Sequence, residues 1–230
     1  MSQTHITLKS GHKMPSVGLG LWKVSGDIAA DTVYEAIKAG YRLLDCAADY
    51  GNEAECGQGL KRAIDEGLVK REDVFITGKL WNTFHRKEHV REGCLKTMKD
   101  LGVDYLDLYH IHFPIALKYV PIEKSYPSEW LYSDEKNPTP KFTEDVGVSY
   151  KETWQAMEEL HKEGLVRNIG ACNIGVSMLR EVLCYATVRP ACLQVELHPR
   201  LSQSKLLRWC KENSIAVTGF SNLCSASYVE

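Results

Sequence analysis

Apolar positions along this chain switch repeatedly between two spacings. Short runs of strand length, such as RLLDC at 42–46, VFITGKL at 74–80, LDLYHI at 106–111, NIGAC at 168–172, CLQVEL at 192–197 and IAVTGF at 215–220, are rich in branched and aromatic residues. Between them lie stretches in which apolar residues recur every three or four positions, the signature of a helix with one buried face. DIAADTVYEAIKAG places Ala30, Val33 and Ile37 on such a stripe and ends at Gly40, and HVREGCLKTMKDLG places Val90, Cys94, Met98 and Leu101 on another. NEAECGQGLKRAIDEG, YKETWQAMEELHKEG, SMLREVLCYAT and SKLLRWCKENS supply further helices. The opening segment differs: HITLKSGHKMPSVGLGLW alternates and turns at Ser10-Gly11, which predicts a small hairpin before a first buried strand at 17–20.

Strand and helix therefore alternate, and no run of consecutive hairpins appears after the opening one. Alternation of this kind predicts parallel strands joined by right-handed crossovers, in a closed barrel or an open doubly wound sheet. Seven strands fall in the repeating series, and an eight-stranded (β/α)8 TIM-type barrel takes about 250 residues. The expected fold is thus one α/β domain over residues 1–230, a barrel with an N-terminal hairpin that stops one unit short of eight, as in a fragment or a truncated product. Such a barrel would carry two unpaired edges and uncovered apolar surface. One connection is long: residues 113–149 are Pro-rich, aromatic and charged, and because they follow a strand they belong on the carboxyl-end face, where barrel enzymes place their chemistry.

Composition narrows the function classes. With 44% hydrophobic residues, 28 basic and 30 acidic side chains and no basic block, the chain has material for a full core and no patch for nucleic acid or a membrane surface. No apolar run has the length of a membrane span, and the first residues lack a signal-peptide core, which reads as cytoplasmic. The eight cysteines are scattered without a C-x-x-C pair, so most are expected as small buried hydrophobes and no metal site is expected.

Four ionisable residues fall at equivalent places: Asp45 at one strand end, Tyr50 in the loop after it, Lys79 at the end of the next strand and His112 at the end of the one following. On a barrel these positions converge. A free phenol has a pKa near 10, and an adjacent ammonium favours the phenolate, so Lys79 is expected to lower the pKa of Tyr50. A buried lysine requires a carboxylate, which Asp45 supplies, and His112 is placed to orient a substrate oxygen. Taken singly, each residue has a plain structural reading; their coincidence at three successive strand ends favours catalysis. His110 and His112 also form an H-x-H pair, as in metal-dependent barrel hydrolases, but His5, His12, His85, His89 and His161 read as peripheral and His198 stands alone.

Five segments taken together, GLGLWK at 18–23, LDCAADYGNE at 44–53, ITGKLWN at 76–82, IHFPI at 111–115 and LQVELHP at 193–199, resemble the aldo-keto reductase family, and within it the aldose, xylose and sugar-phosphate reductases. The resemblance implies a barrel that reduces a small carbonyl substrate with NADPH or NADH, with Tyr50 as general acid, Asp45 and Lys79 tuning it, and His112 orienting the carbonyl. It implies cofactor contacts at Gly20, Leu21, Trp22, Asp45, Tyr50, His112, Cys172, Asn173, Gln194, Phe220, Ser221, Asn222 and Leu223, with Asn173 and Gln194 holding the carboxamide and Phe220 stacking on the nicotinamide. Trp22, Tyr50, Trp81, His112 and Phe113 are the implied substrate contacts. The chain departs from the family pattern at Cys172, where a Ser is usual, at Phe220, where a Tyr is usual, and at Ser221-Asn222, where a Ser-Pro pair is usual. It also ends before the family's last strand and the cluster that grips the adenosine 2′-phosphate. A non-catalytic relative is the competing expectation.

Overall fold

The computed structural model describes residues 4–134 and 137–224. An antiparallel hairpin of β1 (His5–Thr7) and β2 (Lys13–Pro15) opens the chain. The alternating series comprises β3 (Leu19–Gly20), α1 (Gly26–Ala39), β4 (Leu43–Asp45), α2 (Glu53–Asp65), β5 (Phe75–Leu80), α3 (Lys87–Leu101) and β6 (Leu108–Ile111). A hairpin of β7 (Tyr132–Asp134) and β8 (Asn137–Lys141) occupies the long connection. The series then resumes with α4 (Tyr150–Lys162), β9 (Ile169–Cys172), α5 (Val176–Tyr185), β10 (Cys192–Glu196), α6 (Ser204–Glu212) and β11 (Ala216–Phe220).

The main sheet is parallel throughout, in the order β3-β4-β5-β6-β9-β10-β11. It is curled rather than open. Gln194 on β10 donates its side-chain N–H to Asp45 on β4 over 2.8 Å, although β9, β6 and β5 lie between those strands in the sheet. Residues of β3 and β11 line one cavity, so the two ends of the sheet face each other around it. Strands β3 and β11 are not hydrogen-bonded to each other among the described residues. This is a (β/α) barrel of seven strands, with consecutive helices packed side by side around it.

The helices bury the stripes that spacing predicts. On α3 the buried residues include Val90, Cys94, Met98 and Leu101. On α1 the stripe is Ala29, Val33, Tyr34 and Ile37, so the helix is turned by one position from the expected face and Ala30 is only half-buried. Gly40 closes that helix at φ 104°, a left-handed conformation that costs glycine little, with its N–H directed at the carbonyls of Ala36 and Ile37. At the amino end of the barrel, Leu8 and Met14 from the opening hairpin pack with Leu43, Phe75, Leu108, Ala191 and Cys192, so the hairpin plugs that end. Next to it, Asp107 accepts from Arg71 at 2.9 Å, Arg167 at 3.1 Å and the amide of Ile76 at 3.0 Å.

Three expectations change. The first strand starts at Leu19, and Val17 is 58% exposed, because β3 is an edge with a neighbour on one side only. His85 is buried rather than peripheral: it sits between the end of β5 and the start of α3, and Thr153 on α4 donates to its carbonyl at 2.7 Å. The 113–149 connection, read from the sequence as one long segment between elements, carries a hairpin of its own, in which the Pro-rich stretch NPTPK forms β8, an edge strand where missing N–H donors are tolerated. Six cysteines are buried, and Cys184 and Cys224 are exposed. No helix is long and apolar enough to cross a membrane among the described residues.

Candidate functional site

Parallel strands present all their carboxyl ends on one face, and that face collects the four ionisable residues. Asp45 ends β4, Lys79 is the penultimate residue of β5, and His112 comes directly after β6; Tyr50 sits in the single helical turn Ala48–Tyr50 after β4. The Lys79 ammonium is fully buried and donates to Asp45 Oδ2 at 2.7 Å, to the Cys46 carbonyl at 2.9 Å and to Tyr50 Oη at 2.9 Å. Three acceptors satisfy its three donors, which is the condition under which a charged lysine survives burial. Asp45 Oδ1 takes the N–H of Gln194, so both carboxylate oxygens are engaged. The His112 ring stands edge-on to Tyr50 at 5.9 Å between centroids and stacks on Phe113 at 4.5 Å.

The electrostatics correct one expectation. Burial pushes the Tyr50 hydroxyl above the ordinary phenol value, and the neighbouring Lys79 charge only reduces that rise. In the free protein Tyr50 therefore keeps its proton at neutral pH, as an acid must before it reacts. Burial opposes the Lys79 ammonium, but Asp45 and Tyr50 outweigh it and hold the group above its ordinary value. His112 is driven well below the ordinary imidazole value by burial and then by the Lys79 charge, which makes it neutral. His110 lies one layer deeper, fully buried and pushed down to about 3 by burial. It fills the barrel axis against Gly170, where a Cβ would stand 2.4 Å from its Nδ1. Among the described residues no three His, Cys, Asp or Glu side chains are grouped to hold a metal ion.

The tetrad opens into a cavity of about 890 Å³. Of the sequence-derived candidates, Gly20, Trp22, Asp45, Tyr50, His112, Phe113, Asn173, Gln194, Phe220, Ser221 and Asn222 line it. Lys79 reaches it only through Asp45 and Tyr50. Leu21 does not line it, because its side chain is fully buried in the core. Cys172 is likewise buried, and Leu223 is 96% exposed away from it. Trp81 is buried behind the wall, edge-on to His112, Phe113 and Trp130, so it supports the lining and is not part of it. Asn173 donates to the His112 carbonyl at 2.9 Å, and together with Gln194 it leaves a side-chain carbonyl oxygen without a partner among the described residues. Lys23, Asn173 and Ser221 line the same cavity at φ of 65°, 58° and 53°, so left-handed strain gathers at its rim, as it does at ligand clamps.

Two cavity carboxylates escaped the sequence reading. Asp49 directly precedes Tyr50, and burial together with the Glu129 carboxylate pushes it up to about 6. Its place between the strand end and Tyr50 was the available signal. Glu196 ends β10, the same strand-end rule that singled out Asp45, and its carboxylate meets His198 at 3.0 Å.

A sequence profile described as the aldo/keto reductase family matches residues 16–229. The chain belongs to the aldo/keto reductase family. Curated relatives include a probable NAD(P)H-dependent D-xylose reductase of Aspergillus clavatus, 51% identical over 230 residues that make up all of this chain and 68% of that protein. An NAD(P)H-dependent D-xylose reductase of Pyricularia oryzae is 51% identical over 233 residues, covering 100% of this chain and 70% of its own length. Among solved structures, the aldose reductase from Schistosoma japonicum superposes with a TM-score of 0.84 at 38% identity, over 94% of this chain and 68% of the other. A Bombyx mori aldo-keto reductase in complex with NADP gives 0.83 at 35% identity, over 96% and 67%. These superpositions bear out the TIM-type barrel.

Proposed function

We propose that this chain is an NAD(P)H-dependent reductase of small aldehydes, with neutral aldoses such as D-xylose as its substrate class and Tyr50 as its proton donor. The observation that carries the reading is the Lys79 ammonium held 2.9 Å from Tyr50 Oη and 2.7 Å from Asp45 Oδ2 at the floor of the cavity. Tyr50 enters the reaction protonated because it is buried. Once its proton has passed to the carbonyl oxygen, the phenolate left behind is stabilised by the adjacent ammonium, a contact worth far more to the charged product than to the neutral phenol. Neutral His112 directs the carbonyl oxygen toward Tyr50. Phe113 and Trp22 form apolar walls around the reacting carbon.

The residues present fit a nicotinamide. Asn173 and Gln194 each have one amide N–H engaged by the protein, which leaves each a carbonyl oxygen to accept from a carboxamide NH₂ and a second N–H to donate to its oxygen, and Phe220 offers a ring face on the same cavity. When bound, the nicotinamide supplies the hydride that goes to the carbonyl carbon. Gly20, Ser221 and Asn222 would hold the rest of its near half. A neutral aldose is favoured over a sugar phosphate because Asp49 and Glu196 both line the cavity, and because the D-xylose reductases match over the whole chain. Free thiols and the lack of a membrane-crossing helix among the described residues suit a cytoplasmic setting.

Tyr50→Phe tests this reading. It should lower kcat for NADPH-dependent D-xylose reduction by at least about 10²-fold, the usual size of a lost general acid. Cofactor binding measured by fluorescence titration should be unchanged. Turnover within tenfold of the wild type would overturn the assignment of Tyr50.

A further inference from the structure

Glu53, the first residue of α2 and three positions beyond Tyr50, is only 3% exposed, and no partner for its Oε1 is present among the described residues. Burial pushes it up to about 8, so at neutral pH it is a neutral acid. Burying a carboxyl group in a core costs stability unless its hydrogen bonds serve a structure. Its Oε2 accepts from Thr97 Oγ1 on α3 at 3.2 Å, and Thr97 Oγ1 lies 3.5 Å from Tyr126 Oη in the long connection. A hydroxyl carries one proton. Because neutral Glu53 and Tyr126 also carry hydroxyl protons, Thr97 Oγ1 can give its proton to one neighbour and accept from the other, and so joins Glu53 on α2 to Tyr126 in the long connection. The Tyr126 ring is further held edge-on to Phe84 at 5.8 Å and under Lys96 Nζ at 4.6 Å, and Lys96 is itself paired with Asp100.

From Tyr126 the long connection runs on to the cavity. The Ser128 carbonyl accepts the indole N–H of Trp81 at 2.8 Å. Trp130 then packs edge-on against Trp81 at 5.1 Å and Phe113 at 4.9 Å and lines the cavity beside Tyr50. The two ends of this route are Glu53, three residues beyond the proposed proton donor, and Trp130, which lines the same cavity as that donor. One belongs to the helix after its loop, the other to the segment that forms its aromatic wall.

We propose that Glu53, Thr97 and Tyr126 are positioning residues for the substrate: their hydrogen-bond chain anchors the base of the long connection and so sets where Trp130 stands against the bound aldose. The proposal rests on the reductase reading above for its substrate. Among the described residues no hydrogen bond joins Glu53, Thr97 or Tyr126 to the tetrad or to Asn173, Gln194 and Phe220, so loss of the chain should weaken substrate binding and leave the chemical step and cofactor binding intact.

The experiment compares the wild type with Tyr126→Phe and Thr97→Val, which remove hydroxyls and keep shape, and with the pair Glu53→Leu and Glu53→Gln. For D-xylose with NADPH, Tyr126→Phe and Thr97→Val should raise KM about fivefold with kcat and NADPH affinity within twofold. Glu53→Leu should do the same, and Glu53→Gln, which keeps an acceptor for Thr97, should restore most of the loss. Hydrogen exchange of the 122–132 peptide should quicken in the three disruptive variants and not in Glu53→Gln. Unchanged KM and unchanged exchange would overturn the proposal, as would a parallel fall of kcat, NADPH affinity and thermal midpoint, which marks a general packing role. If the wild type reduces no aldose, the reductase reading fails by itself, and the exchange comparison still decides whether the anchor exists.

Discussion

Asp49 shows how a single side chain makes this site sensitive to pH. Its carboxyl is pushed up to about 6, by burial first and then by Glu129. The folded chain therefore holds this proton more tightly than the unfolded chain does. The resulting stabilisation is present below the ordinary carboxylate range and is lost as pH rises through about 6. After discounting for partial exposure, the ionised group costs about 1 kcal/mol at neutral pH. Asp49→Asn should accordingly raise the thermal midpoint at pH 7.5 and change it much less at pH 4.5, as scanning calorimetry at the two values would show. If Asp49 also meets the substrate, kcat/KM in the wild type should inflect near pH 6 and the Asn variant should lose that inflection.

At the scale of elements, the pair β4 and β5 forms the chemical unit. Asp45 faces Thr77 in the register, so the Lys79 side chain, one layer further along β5, leans back across the strand ends to Asp45. Lys79→Met would leave a largely buried carboxylate with Gln194 as its remaining side-chain partner, and breaking such a pair from one side costs about 3–5 kcal/mol. Adding Asp45→Asn to Lys79→Met should return a good part of that loss, since a neutral amide no longer needs the ammonium; urea unfolding of the two variants checks this. This unit was legible in the sequence because three neighbouring strands each end on an ionisable residue, and strand ends are readable from periodicity. The direction of the Tyr50 shift was not, because burial, the larger influence, depends on how deeply the 48–50 turn sinks behind β4 and on the long connection that covers it. The burial of the Leu21 side chain was hidden for a similar reason. The residue follows directly after β3 between two cavity residues, Gly20 and Trp22, and only the packed sheet shows that its side chain is in the core.

Over the whole molecule the two ends of the barrel have separate tasks. The amino end is held by Asp107 between Arg71 and Arg167, both of which also stack on Tyr105 at 4.0 and 3.8 Å, and by Asn168, which donates to the Asp107 carbonyl at 2.7 Å. Asp107→Asn should lower stability by about 3 kcal/mol, the scale of a broken buried pair, yet leave kcat of the folded fraction within twofold. Urea midpoints and turnover measured on the same preparation separate the two effects. The alternation of strand and helix made the barrel legible from the sequence. The way the opening hairpin plugs its amino end was not legible, because Leu8 and Met14 reveal their partners only when Phe75, Leu108 and Ala191 arrive from distant strands.

The Gln194 to Asp45 hydrogen bond has a consequence for how the protein is made. Asp45, Tyr50, Lys79 and His112 all lie on, or directly after, three strands that are consecutive in the chain, so the acid machinery belongs to the portion a ribosome delivers first and needs only short-range closures to assemble. Gln194 comes 149 residues after Asp45 and meets it across the barrel axis. Until β10 has been synthesised and docked, one oxygen of the carboxylate that steadies Lys79 lacks its partner, and the finished charge balance of the site therefore waits for the sheet to bend round on itself.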